Sequence, residues 1–329
     1  MKKIFRLCPF VLSTVACVAA SASTDPDIHF RGEVFKKFVH ESFEATGDKD
    51  EDSFYTAINT RAKKALGVTW DDWIRRTKAA YPHPTAAESR KIGESVWKLM
   101  KHTVTKFSLD RGFEFSNVVK YNERQCYLQS IVLAAALQRV GLHAGIAMVW
   151  RNPKGQTSNN GHAVTVLHLD RTHDILVDCS EPAPFARHTG LFLRNGAKYV
   201  YLAPTYANDD TITSYKVNDD DVNLDTRNVD TLDLPFLWSQ FDYYRGERAV
   251  GGILAKNQTK EGLELSEKWL KRSIADNPGN PLPHAVLLDT LKQEGKLDEA
   301  EVQRQVALAL YNTYGWTPER LKTPVKAGD

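Results

Sequence analysis

The stretch CYLQSIVLAAALQRVGLHA, residues 126–144, opens with fifteen residues that are apolar on most sides of a helix and then meets Gly141 and Leu142. A helix without a polar face has to be enclosed by the rest of its domain. Gly141 suits the left-handed residue that ends a helix, and Leu142 suits the apolar contact that closes back on its last turn. Three runs of β character follow: AGIAMVW (144–150), HAVTVLHL (162–169) and DILVDCS (174–180), the first two joined by the polar RNPKGQTSNNG (151–161). Helices, then one enclosed helix, then antiparallel strands make an α+β chain.

Cys126 begins the enclosed helix, where free N–H groups and the positive end of the helix dipole favour a thiolate. A buried cysteine is equally at home as a small core hydrophobe, so its company decides. His162 opens a strand directly after Gly161, and Asp178 closes the next one. Side chains alternate along a strand, so a hairpin with a three-residue loop at 169–171 would put position 162 opposite 178 on one face. Asp178 would then orient the imidazole to accept a proton from a thiol. A register of the other parity would separate them. Cys179 would point away from Asp178, which weighs against the alternative use of Cys126 and Cys179 as a disulfide in an oxidising compartment.

These motifs resemble the transglutaminase-like superfamily of cysteine acyl-transferases and hydrolases: a cysteine opening a helix, a helix stop, a histidine opening a strand (GHAVTVLHL) and an aspartate ending the next (ILVDCSEP). The gaps are 36 and 16 residues, and the likeness spans roughly 90–190. It implies a transglutaminase-like cysteine-protease fold, helices plus an antiparallel sheet, with Cys126 as nucleophile, His162 as general base and then acid, and Asp178 as the orienting residue. The Cys126 backbone N–H is the first oxyanion donor to consider, with the Gln125 and Asn122 side chains as further candidates. Gly145 stands where the family often has arginine, and Ala163, Val164 and Thr165 replace its aromatic residues, so no substrate carries over. His168, His173 and His188 show no metal-ligand spacing and are assigned to loops or surface; no metal or cofactor is expected.

Outward from this centre, residues 28 to about 120 carry helical periodicity, with Thr85 a cap before Glu88 for a long helix starting near 85. Their apolar stripes read as packing elements. At the amino terminus, MKKIFRLCPFVLSTVACVAASAS joins a basic cluster, an apolar run of about 12 residues and the small triplet Ala20-Ser21-Ala22; a membrane span needs about 20. It reads as a signal peptide over 1–22, implying an exported, periplasmic or secreted protein. Cys17 behind TVA loosely resembles a lipobox and keeps a lipid-anchored form open. Cys8 and Cys17 belong to this leader, leaving Cys126 and Cys179 in the mature chain.

The 329 residues carry 43 basic and 41 acidic side chains. That balance argues against a nucleic-acid binder, which shows a basic excess. Residues 206–233, rich in Asp and Asn, read as an acidic linker. Beyond it, 234–315 is helical and repeats at a spacing of 34: Ile253 and Leu254 match Leu287 and Leu288, Leu263 matches Leu297, and Ser266 matches Ala300. This resembles two tetratricopeptide repeats, with ADNPGNP between the copies. The expected organisation is a leader at 1–22, a transglutaminase-like domain with its N-terminal helices at 25–205, the linker at 206–233 and the repeats at 234–315. The expected function is an exported cysteine-dependent amide hydrolase or acyl-transferase of peptidase, deamidase or transglutaminase type, acting on a protein or peptide through a thioester. The alternative is a catalytically silent scaffold that holds a protein partner through its repeats.

Overall fold

The computed structural model describes residues 25–218 and 220–325; the leader lies outside them. Four helices come first, α1 (Glu33–Ala45), α2 (Asp52–Leu66), α3 (Trp70–Ala80) and α4 (Ala86–Thr103). Their inward faces are strongly aromatic: Phe35 and Phe54 meet Phe115 edge-on, and Phe30 stacks on Trp70. The cap at Thr85 is a full capping box, its hydroxyl accepting from the Glu88 N–H while the Glu88 carboxylate accepts from the Thr85 N–H.

A short parallel pair, β1 (Lys106–Phe107) with β2 (Glu123–Arg124), brackets α5 (Phe115–Tyr121) and leads straight into α6 (Cys126–Arg139). Every residue of α6 from Cys126 to Gln138 is buried. Its stop is the expected one: Gly141 has φ +98°, and the Leu142 N–H donates to the Leu137 carbonyl.

The remaining strands are β3 (Ala144–Arg151), β4 (Thr157–His168), β5 (Asp174–Val177), β6 (Gly190–Asn195), β7 (Lys198–Tyr206), β8 (Ile212–Val217) and the short β9 (Asn223–Leu224). They pair antiparallel in the order β5-β4-β3-β6-β7-β8-β9, and β5 also meets β8 through the rung Asp174↔Ile212. The strands therefore close into a six-stranded barrel. This corrects the transglutaminase-like cysteine-protease fold expected above: the helices pack on the outside of a closed barrel rather than on an open central sheet, because the sheet curls until its first and sixth staves join. Val149, Val164, Leu176, Leu191 and Tyr215 fill the barrel, while Ile146, Ala163, Leu167 and Val177, alternating with the inward set, belong to the outer core shared with α6 and the other helices.

The linker expected at 206–233 is corrected by the same closure. This stretch holds β8 and β9, bridges Arg194 to Asp230, and binds Leu232 to the Ile146 carbonyl. Ile212 and Tyr215 point into the barrel, while Asp209 and Asp210 lie in the turn before β8 and Asp220 and Asp221 in the turn after it.

The chain ends in α7 (Leu234–Glu247), α8 (Lys260–Asp276), α9 (Pro281–Gln293) and α10 (Leu297–Tyr314), each packed on the next. The 34-residue spacing relates α8 to α10, where Ser266 and Ala300 are both fully buried. It does not relate their partners: Ile253 and Leu254 lie in a turn, and Leu287 and Leu288 lie on α9. The helix that precedes α8 is α7, which is buried against α6, with the Tyr127 hydroxyl donating to the Leu237 carbonyl at 2.6 Å.

Candidate active site

The entry into α6 is fixed by its flanks. Asn122 adopts a left-handed conformation with φ +59°, β2 is pinned to β1, and Gln125 is the extended residue that caps α6. Cys126 is thereby placed in the first turn, 5% exposed, its carbonyl accepting from the Ser130 hydroxyl at 2.8 Å.

His162 does not open its strand as expected but lies midway along β4, directly after Gly161, which has φ +56° and whose carbonyl accepts from the Tyr244 hydroxyl at 2.9 Å. The rungs Thr165↔Val177 to His168↔Asp174 show a β4–β5 loop of five residues, two more than the expected three. Position 164, not 162, stands opposite 178. A shift of two keeps parity, so His162 and Asp178 still share a face, and His162 Nε2 lies 2.7 Å from Asp178 Oδ2. Cys126 lies near enough to the same ring to help raise it. The structure thus brings Cys126, His162 and Asp178 together.

Asp178 is fully buried. Its Oδ1 accepts from the Ser180 N–H at 2.7 Å, its Oδ2 also faces His188 Nε2 at 2.9 Å, and its carbonyl accepts from Trp97 Nε1 on α4 at 2.8 Å. Burial alone would raise this carboxyl, but the His162 charge and hydrogen bond, with the His188 hydrogen bond, hold it below the usual carboxylate range. For His162 burial opposes the charged ring, and the field and hydrogen bond of Asp178, with the Cys126 contact, overcome it and raise the imidazole well above its ordinary value.

The supporting wall is polar and hydrogen-bonded from several elements. Gln129 on α6 donates to the Ser180 hydroxyl at 2.7 Å, and Arg124 and Lys101 both donate to the Cys179 carbonyl at 3.1 Å. Cys126 and Cys179 are both free thiols; Cys179 is fully buried with its Sγ 3.7 Å from the Trp97 carbonyl oxygen, and burial pushes its thiol far up.

The secondary candidates divide. Asn122 donates from its amide to the Thr105 hydroxyl at 3.0 Å, beside β1. Gln125 is 2% exposed at the start of α6 with its Oε1 unpartnered among the described residues. His188 lies in the loop between β5 and β6, one of the two places expected, but it is not a surface residue: it is 1% exposed and bonded to Asp178. His168 is likewise buried, held by Asp174 at 2.6 Å and Asp25 at 3.3 Å, whereas His173 is exposed. Trp97, Tyr244 and Gln129 carried no signal, because each sits on a helix whose pattern announces only packing.

Donor atoms of His162, Asp178 and His188 lie within 4.8 Å of one another, but both ring nitrogens are spent on the same Asp178 oxygen, at 2.7 and 2.9 Å, which makes the trio a hydrogen-bond network and not a ligand set. A metal-bound imidazole ordinarily donates its second N–H to an acceptor, and His188 Nδ1 is buried without one among the described residues.

No protein-family model matches this chain, and no curated protein does. Among solved structures, the chain is similar to a crystal structure of menin described as revealing the binding site for Mixed Lineage Leukemia (MLL) protein. The identity is 12%, the likeness covers 86% of this chain and 61% of that one, and the TM-score is 0.39. This chain thus spans less than two thirds of that protein's length, and a likeness at this level fixes neither fold nor function.

Proposed function

We propose that this chain is a cysteine-dependent amide hydrolase or acyl-transferase, exported by its leader and acting on protein or peptide substrates. The observation that carries the reading is the His162 ring bonded to the buried Asp178 carboxylate at 2.7 Å, with Cys126 beside it at the start of α6. In the reaction the Cys126 proton passes to His162 while Sγ attacks the amide carbonyl. The tetrahedral oxyanion is met by the Cys126 backbone N–H. The C–N bond breaks, His162 returns its proton to the departing amine, and a thioester remains. His162 then deprotonates water or an acceptor amine, which displaces Sγ; water gives the acid and an amine gives the transferred amide. Asp178 keeps the imidazole oriented and offsets its charge throughout.

The low exposure of Cys126 favours a second reading, a silent scaffold that holds a protein partner. One experiment separates the two: incubation with a thiol-reactive acyl donor, mapping of the modified residue, and assay of Cys126→Ala. Catalysis requires a single adduct on Cys126 and a loss of roughly 10³-fold or more in kcat/KM. Full activity in Cys126→Ala, or an unreactive Cys126 in the folded protein, would exclude it.

A further inference from the structure

We infer that His188 is a positioning residue for the proposed cysteine chemistry, a second imidazole that locks Asp178 so that the carboxylate presents one fixed oxygen to His162. The inference rests on the triad reading above, and its first test does not depend on turnover.

The geometry is that of a shared acceptor. Oδ2 of Asp178 faces His162 Nε2 at 2.7 Å and His188 Nε2 at 2.9 Å, and Oδ1 is taken by the Ser180 N–H. Three donors on a fully buried carboxylate leave it no alternative rotamer without stranding one of them. The two rings are not equivalent. His162 is a quarter exposed and lies beside Cys126, whereas His188 is 1% exposed and its Nδ1 has no partner among the described residues. A proton on Nδ1 would be a buried donor without an acceptor. The hydrogen-bond pattern therefore assigns His188 an Nε2–H that donates to the carboxylate, and leaves the thiol side of the site to His162.

His188 is itself held from two strands. Its carbonyl accepts from the Tyr206 hydroxyl on β7 at 2.8 Å, and the adjacent Thr189 N–H donates to the Arg151 carbonyl on β3. The ring centres of His162 and His188 are 5.3 Å apart. A donor anchored this firmly does two things to Asp178: it prevents rotation about Cβ–Cγ, and it draws off part of the carboxylate's hydrogen-bonding strength. Without it, Asp178 would hold the His162 imidazolium more tightly and less directionally, and the ring would return its proton to the leaving amine less readily. The other titratable or charged groups facing this trio are Cys126 on α6, Tyr244 on α7, Arg124 on β2, and Cys179. Among the described residues none of them hydrogen-bonds or ion-pairs with His188.

The test compares His188→Gln, whose amide reaches Oδ2, with His188→Asn, whose amide is too short, and with His188→Phe. Nitrogen NMR of the His162 ring is recorded against pH in each folded variant. The expected result is an upward-shifted His162 titration in Asn and Phe and a near-native one in Gln. With a working substrate, kcat falls roughly 10²-fold in Asn with KM little changed, and Gln restores most of it. An unchanged His162 titration in His188→Asn, or Gln behaving as badly as Asn, overturns the proposal. If the wild-type protein proves to have no turnover, the NMR comparison still decides what His188 does, so failure of the catalytic reading and failure of this one are told apart. A His188→Phe variant that does not fold leaves the Gln and Asn pair to decide.

Discussion

His162 and Asp178 are bonded at 2.7 Å although they are not cross-strand partners; continuing the rungs past Thr165↔Val177 puts residue 164 opposite 178, so the pair meets across a diagonal. A diagonal pair depends on both side chains keeping their reach. Asp178→Asn keeps the size but lets an amide N–H face a ring N–H. The expected result is a fall in kcat of roughly 10²–10⁴ with the fold retained, measured by steady-state kinetics alongside circular dichroism.

The same ion pair sets a pH window for stability. Asp178 is depressed in the folded state, so its contribution is present above the unfolded value of 3.8 and disappears as pH falls through the folded value. His162 is raised, so its contribution is complete below 6.5 and disappears as pH rises through the folded value. The gap in melting temperature between wild type and Asp178→Asn is therefore widest between about pH 4 and 6.5. A gap that is flat from pH 3 to 9 would contradict this assignment.

Tyr244 holds the peptide immediately before His162. Tyr244→Phe removes its hydrogen bond to the Gly161 carbonyl and is expected to cost about 1 kcal/mol of stability, with a larger proportional loss in kcat than in KM. Gly161→Ala strains the same point through the backbone, since φ is +56°, while the Met148 terminal methyl, 2.4 Å from an added Cβ, has to swing aside. Chemical denaturation should rank Gly161→Ala as the more damaging of the two.

The seam of the barrel carries its own charge cluster. Asp174 accepts from the Tyr215 hydroxyl at 2.7 Å and faces His168 at 2.6 Å, while His168 also faces Asp25. Burial opposes the charged His168, and the two carboxylates outweigh it and raise the ring. Its stabilisation is thus complete below pH 6.5 and declines as pH rises through the raised value. Tyr215→Phe should cost about 1.5–3 kcal/mol and increase hydrogen exchange in β5 and β8 before the rest of the barrel. Uniform exchange across all strands would show that the seam is not the weak point.

A second buried carboxylate behaves in the opposite sense. Asp242 on α7 lies 2.7 Å from Arg245 and from Arg272, yet burial outweighs both and pushes it up to about 6. The folded state then binds a proton that the unfolded chain has lost, so a penalty grows as pH rises from about 4 to 6 and is complete above that. Asp242→Asn should flatten this part of the stability curve while leaving catalysis unchanged.

The enclosed helix at 126–139, its stop at Gly141 and the three strands after it were legible because each is a local pattern of apolar spacing and turn chemistry. So was the parity that joins His162 to Asp178, since parity survives a two-residue error in loop length. Closure of the barrel was not legible. It rests on Asp174 meeting Ile212, a contact between distant segments, and β8 buries only Ile212 and Tyr215 fully, a spacing of three that hides the period of two. The acidic turns flanking it then dominated the reading of 206–233. His188 lies in the irregular stretch between β5 and β6, where no periodicity reports burial, and its partner Asp178 is identifiable only once the strands are in register.

A ring of staves imposes a counting rule that an open sheet lacks. Around a closed barrel the offsets between neighbouring strands must add up to a whole number of residue pairs, so no stave can creep past its neighbour by a fraction. β4 carries His162, and β5 leads to Asp178. The separation of the two is therefore fixed by an integer, and evolutionary drift in the loops around the barrel can lengthen or shorten them without moving that separation by small degrees.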